Sequence, residues 1–391
     1  MSIFSRSKEK EELVLVFNIG SSSVGATLFK AHKSGVPKII FSIREPILLE
    51  KEVKVDRLFS LMTQSLEFVV NAVYRAKLGA PAKVFCVLSS PWYVSQTRTI
   101  NLKQGTPFVF SEKLAESLTQ KEVKIFEEEN DAKWGKASST MRIIELKNIK
   151  TILNGYETHA PINQKAEQLE MIIFISIGSE QVLTKIESVI KKHFHGSPIR
   201  FSSFALASFT IIRDLKAEEE DFLLVEIGGE VTDISLVKKN VLRESISFPL
   251  GRNFLTRGVS ESLSSTFGEA NSLISLFKHG HAEGDVAENL GKVLGELKAK
   301  WLKEFQNCIA NISNDISIPA LIYLAADKEV ADFFSETIKT EQFSQYTLTE
   351  SKFQITVVDT KLLYGIAELG ENVEPVPNLL VDAMYVNRFL I

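Results

Sequence analysis

Two stretches alternate apolar and polar positions around a glycine turn, and the rest of the chain is organised about them. Leu223–Lys238 reads LLVEIGGEVTDISLVK, an apolar run, a Gly228–Gly229 turn and a second run over Val231–Val237. That alternation with that turn chemistry predicts a β-hairpin. Val14–Lys30, VLVFNIGSSSVGATLFK, is a second copy: Asn18 falls on Glu226, Ile19 on Ile227, Gly20 on Gly228, Leu28 on Leu236 and Lys30 on Lys238. A matched pair so far apart predicts two similar half-domains, each offering a turn to one shared cleft. Glycines let a backbone approach a ligand closely, and turn N–H groups form nests for phosphate.

The remaining pattern fills in around these hairpins. A third strand is predicted near 36–44. Leu58, Leu61, Met62, Leu66, Val69, Val70 and Val73 keep a helical period over about 55–77. LGAPA (Leu78–Ala82) ends that helix, and Lys83–Leu88 reads as a buried strand, so a sheet covered by helices is implied. At SSPWYV (Ser89–Val94) the character changes, and 93–197 read as a separate small α+β unit. Its pattern predicts a helix capped by Ser111, a polar loop over Glu127–Thr140, strands near 141–152 and 168–177, and a closing helix near 178–194. Phe201–Leu215 then reads as a helix and Val241–Phe248 as a strand that extends the second hairpin. Helices follow near 251–265, 268–279, 285–312 and 328–338, with a strand at 320–325. The stretch 339–376 reads as irregular apart from Phe353–Val358, and the last fifteen residues as a core helix. The expected organisation is a mobile tail over 1–12, a first lobe over 13–92 and 198–220, an insert over 93–197, a second lobe over 221–360 with a helical subdomain about 251–315, and a return to the first lobe over 361–391.

Composition narrows the function classes. Hydrophobic residues make up 45% and charged residues 24% of 391 positions, enough apolar material for more than one core. A net charge of -4 without a long basic block argues against a nucleic-acid surface. Cys86 and Cys308 are the only cysteines, which fits a reducing compartment and no disulfide framework. No apolar run reaches the ~18 residues of a membrane span, and the start, MSIFSRSKEKEE, has no apolar signal core. His193 and His195 lack further ligands nearby in sequence and read as structural.

The paired hairpins resemble the two phosphate loops of the actin, Hsp70 and sugar-kinase superfamily, and within it bacterial FtsA and PilM. Phe248–Phe277 is similar to the segment after the second loop, Ile152–Ser176 to the small inserted (SHS2-like) domain, and Leu321–Asp327 stands at the adenosine loop. The resemblance covers roughly residues 13 to 390. It implies an α/β, actin-like (ribonuclease H-like) duplicated two-lobed fold with a small inserted α+β domain. It implies ATP and Mg²⁺ as ligands, with Gly20, Ser21 and Ser22 on the first loop, Gly228, Gly229, Thr232 and Asp233 on the second, and Ala325 and Ala326 at the adenosine loop. Asn18 and Glu226 fall where the family has its catalytic, Mg²⁺-holding acids. It implies protein partners, namely cytoplasmic tails of membrane proteins in cell division or type IV pilus assembly, and self-association into filaments. The chain would then be cytoplasmic, reaching the inner face of the membrane through those partners.

The departures from the family pattern weigh against turnover. Asn18 keeps the shape of Asp without its charge, and is a poorer partner for hydrated Mg²⁺. Glu226 moves its carboxylate by one methylene, and a shift of about 1 Å costs on the order of 10²-fold in rate where geometry is demanding. Glu230 stands where a small residue is usual, and either points to solvent or repels phosphate. Ala325 and Ala326 replace glycines and narrow the adenosine slot. A degenerate cleft on an assembly scaffold and an active ATPase or small-molecule kinase both stay open, and with them an empty or an ATP-bound cleft. The C-terminal segment carries Arg388 alone among Lys and Arg, which departs from the membrane-binding tail of FtsA.

Overall fold

The computed structural model describes residues 12–32, 35–134, 141–312, 317–339 and 352–391. Residues 1–11 of the expected tail and the loop residues 135–140 lie outside them. The chain opens with a three-strand meander, β1 (Glu12–Ile19), β2 (Ser23–Ala31) and β3 (Lys38–Pro46). Helix α1 (Val55–Arg75) follows, with Leu61, Met62, Leu66, Val69, Val70 and Val73 on its buried face. Strand β4 (Lys83–Leu88) runs parallel to β1, and its unbroken apolar sequence is buried on both faces, as such a strand requires.

The inserted unit comes next: β5 (Tyr93–Val109), α2 (Glu112–Trp134), β6 (Met141–Leu153), β7 (Tyr156–Glu157) and β8 (Lys165–Ser179). Its sheet runs β5-β8-β6-β7 around Phe110, Phe126, Leu169, Met171, Ile173 and Ile175. Three expectations are corrected here. The polar run Glu127–Trp134 continues α2 rather than forming a loop. Long β5 was not foreseen, because most of its positions are polar and its apolar ones are sparse. Helix α3 (Glu180–Lys191) does not close the unit, for its buried Leu183, Ile186, Val189 and Ile190 join the core beneath α1.

Strand β9 (Ile199–Ser203) then pairs with β4 in parallel, so the helix read over Phe201–Leu215 begins only at Phe204, as α4 (Phe204–Leu215). A second meander follows, β10 (Phe222–Ile227), β11 (Thr232–Lys238) and β12 (Val241–Phe248). After it come α5 (Arg252–Ser262), α6 (Phe267–Lys278) and α7 (Gly284–Ile312). Thr266 and Glu269 form a reciprocal capping box at the start of α6. The chain ends with β13 (Leu321–Ala326), α8 (Lys328–Lys339), β14 (Gln354–Val357), a short β15 (Glu368–Leu369) not foreseen in the sequence, and α9 (Pro377–Tyr385) running into a π-turn over Val386–Leu390.

The two main sheets are copies. One runs β15-β3-β2-β1-β4-β9, the other β12-β11-β10-β13-β14. In each, an antiparallel meander continues through its first strand into two parallel strands. Asn18 and Glu226 hold equivalent places, opposite Gly25 and Asp233 on their hairpins. α4 and α9 pack between the sheets, and Phe204, Phe209, Leu380 and Val381 join residues of both in one core. Among the described residues no helix is long and apolar enough to cross a membrane.

One buried carboxylate ties the insert to this frame. Glu145 on β6 accepts from Ser202 Oγ, from Ser203 N and Oγ (3.1 and 2.8 Å), and from the Tyr385 hydroxyl on α9 (2.7 Å). Burial pushes its pKa up, and these donors oppose that rise. Removing the acceptor leaves several buried donors unpaired, at roughly 1–3 kcal/mol each. We therefore expect Glu145→Ala to lose about 3 kcal/mol in chemical denaturation and Tyr385→Phe about 1 kcal/mol. Equal losses in the two variants would contradict the carboxylate-centred arrangement.

Candidate functional site

The two glycine turns meet between the lobes. Each closes with the same hydrogen bond, Gly20 N to Ser23 O at 3.1 Å and Gly228 N to Val231 O at 2.9 Å. Across the gap Glu230 N donates to Ser21 Oγ at 3.0 Å. A Cβ on Gly229 would stand 2.5 Å from Ser21 C and Ser22 N, so the two backbones touch. The carbonyls of Gly228 and Gly229 accept from the first amides of α5, Arg252 N and Asn253 N, both at 2.9 Å. The amides of Gly20, Gly228, Glu230, Arg252 and Asn253 are thus engaged with the protein itself.

Glu230 points inward and is paired, which neither sequence alternative foresaw. Its carboxylate receives both terminal nitrogens of Arg257 and the Asn253 amide, each at 2.7 Å, while Arg257 Nε donates to Glu50 O at 2.7 Å. The space beside Ser21 and Glu230 is about 10 Å³, the room of one water at most. On the other side Trp92 Nε1 donates to Gly20 O at 2.7 Å. A Mg²⁺-bound phosphate chain does not fit between the turns as they stand; admitting one requires parting them.

The acids lie deeper. Asn18 Nδ2 donates to Asp382 Oδ2 at 2.7 Å, and Asp382 is wholly buried on α9. Its Oδ1 has no hydrogen-bond partner. Burial raises the Asp382 pKa well above the carboxylate range, against the opposing Asn18 bond. Glu226 is raised well above that range by burial first, then by nearby Asp233. Burial pushes Asp233 up to about 7, opposed by Ser90 Oγ, which donates to it at 2.8 Å. Protonated acids are weak Mg²⁺ ligands, and among the described residues no group of three or more His, Cys, Asp or Glu is arranged to hold a metal ion.

The structure therefore brings together Asn18, Gly20, Ser21, Glu226, Gly228, Gly229 and Asp233. It turns Thr232 away: its Oγ1 donates to Leu250 O at 2.7 Å and accepts from Trp301 Nε1 at 3.2 Å, inside the second lobe. Ala325 is buried in β13, and Ala326 lines a cleft of about 860 Å³ with Asn18, Arg44, Lys278 and Asp327. Asp382, Arg44, Arg252 and Arg257 were not foreseen. The one available signal was Arg252, Asn253 and Arg257 on the helix that starts directly after a turn glycine.

The raised acids fix a pH dependence. Folded Asp233 keeps its proton to about 7, whereas an unfolded Asp loses it near ~3.9. Between those values the folded chain binds the extra proton, so stability is fullest at the acid end and is lost as pH rises through 7. Glu226 acts in the same direction. We expect the free energy of unfolding to fall from pH 5 to 8, by up to ~1.4 kcal/mol per pH unit per proton, with the thermal midpoint following it, and Asp233→Asn to flatten that fall. Identical pH profiles for the two proteins would exclude Asp233 as the source.

Comparison with known proteins places the fold. No family model matches the chain, and no curated protein matches it. Among solved structures it is similar to the PilM–PilN type IV pilus biogenesis complex, at 13% identity over 96% of this chain and 97% of that one, with a TM-score of 0.62. It overlaps the ethanolamine utilization protein EutJ from Carboxydothermus hydrogenoformans at 11% identity, 97% and 90% coverage and a TM-score of 0.45. For the MamK double helical filament the values are 11%, 96% and 98%, and 0.47. The chain has the actin-like fold, two duplicated α/β lobes with a small inserted α+β unit.

Proposed function

We propose that the chain is an assembly scaffold of the FtsA/PilM type, which holds the cytoplasmic tails of membrane proteins in cell division or type IV pilus assembly. The observation that carries this reading is the seating of the two glycine turns on each other, with Glu230 and Arg257 filling the space beside them. A turnover enzyme needs those amides and that space for phosphate; a scaffold needs only the closed shape. In this reading the inserted unit, expected over 93–197, is the docking element. Its edge strand β5 pairs only with β8 among the described residues, and part of it lies against β12, so an extended peptide can add only to the stretch that β12 leaves uncovered. Head-to-tail stacking of the two lobes is the geometry by which copies would form filaments.

A second reading, an ATPase or small-molecule kinase, draws on Asp233. With its proton held to about 7 it has the range a general base needs, and the 860 Å³ cleft lies between the same lobes.

Two measurements separate the readings. With millimolar Mg-ATP the thermal midpoint of the scaffold stays put, whereas a ligand at 100 times its Kd adds about 2.7 kcal/mol. Cross-linking on native membranes should then join the chain to a single-pass protein through its cytoplasmic tail. Val94→Asp and Val109→Asp, on the exposed positions of β5, should abolish that adduct. Steady ATP hydrolysis with the adduct unchanged in these variants would favour the enzyme.

A further inference from the structure

The end of α6 brings two imidazoles together. The helix closes in a Schellman arrangement around Gly280, which stands at φ +70°. Gly280 N donates to Phe277 O at 3.1 Å, and His281 N donates to Leu276 O at 2.9 Å. That reversal carries His281 back beside His279. Their rings lie 21° from parallel, with centroids 6.4 Å apart. His279 Nδ1 is 2.9 Å from Ser275 O. A carbonyl only accepts, so Nδ1 carries the hydrogen and the lone pair of the ring belongs to Nε2.

This is the preparation a metal ligand needs. A histidine that binds a metal through one nitrogen is oriented by donating the other to a carbonyl or carboxylate. Two imidazoles bound to one ion at ~2.1 Å have ring centroids roughly 5–6.5 Å apart, and the pair falls at the wide end of that range. Both rings are exposed, and so is Glu283, two residues past His281. Gly280 and Gly284, at φ of +70° and +58°, bracket residues 281–283 and give that stretch its hinges. The neighbouring cation, Lys278, is drawn away to α8, where its Nζ meets Asp332 at 2.6 Å and Lys328 O at 3.2 Å. As the loop stands, two ligands are in place and the third is not, which agrees with the lack of a ready three-residue group among the described residues.

We propose that His279 and His281 bind one divalent transition-metal ion, of the zinc, nickel or copper class, with Glu283 closing in as third ligand and water completing the shell. Imidazole donors select such ions over Mg²⁺. The bound ion ties the last turn of α6 to the first turn of α7. None of the three residues lines the 860 Å³ cleft, and the site is independent of the scaffold reading.

Calorimetric titration of the untagged full chain, stripped with EDTA and dialysed, with ZnCl₂ and with MgCl₂ tests this. Zn²⁺ binds at one ion per chain, and Mg²⁺ gives no saturable heat. His279→Ala and His281→Ala each weaken Zn²⁺ by at least about tenfold, and Glu283→Gln weakens it by roughly threefold. His193→Ala, in the other His-x-His pair, leaves the Kd unchanged. All four side chains lie at the surface or half-buried, so the variants keep the fold. No saturable Zn²⁺ binding below ~1 mM overturns the proposal. Binding that survives both His279→Ala and His281→Ala overturns it, as does binding lost in His193→Ala instead. An unchanged Kd in Glu283→Gln overturns the three-ligand site.

Discussion

A Cβ on residue 229 would lie 2.5 Å from two backbone atoms of the opposite lobe, and one on residue 251 would lie 2.4 Å from the Gly229 carbonyl oxygen. Three backbone segments, from the first turn, the second turn and the start of α5, are stacked with no side chain between them. Only glycine at positions 229 and 251 allows this. The pairing of α5 amides with turn carbonyls, the inward course of Glu230 and the separation of the lobes all depend on that stack. A side chain at 229 must push the lobes apart and one at 251 must push α5 off the second turn, which would disturb the Glu230–Arg257 pair, nearly dry on the carboxylate side. Leaving such a carboxylate unpaired costs on the order of 3–5 kcal/mol.

Charge is arranged around the stack in two layers. Outside, arginines meet carboxylates: Arg257 on Glu230, Arg44 and Arg252 on Asp327. Inside, Glu226, Asp233 and Asp382 have no cation beside them among the described residues, and burial holds their protons on. In this setting Asn18 is chemically apt: its amide N–H donates to Asp382, a bond that an Asp at that position, having no N–H, could not give. The substitution that makes position 18 a poor Mg²⁺ partner makes it a good partner for a buried acid.

The duplication was legible in the sequence because it rests on local pattern. Alternation, paired turn glycines and the match of Asn18 to Glu226 survive as equal places in two copied sheets. The helices of the second lobe were legible for the same reason, by period and by caps such as Thr266 with Glu269. What failed was polar or distant. Strand β5 has too few apolar positions to announce itself, and the charged end of α2 looks like a loop. Thr232 was assigned to the cleft from its place after the turn, but strand alternation sends its hydroxyl to Trp301. The partner of Asn18 lies 364 residues away, and no local pattern carries such a pairing.

The indole of Trp92 holds the Gly20 carbonyl, and β5 begins at the very next residue. Its continuously paired part, Tyr93–Lys103, at ~3.3 Å per residue extends for roughly 36 Å. It works as the long arm of a lever whose short arm is the first glycine turn. A rotation of two degrees at the root sweeps the far end of that stretch through about 1 Å, a displacement that decides whether an edge hydrogen bond is made. Small motions where the lobes meet are thereby magnified at the distant end of the insert.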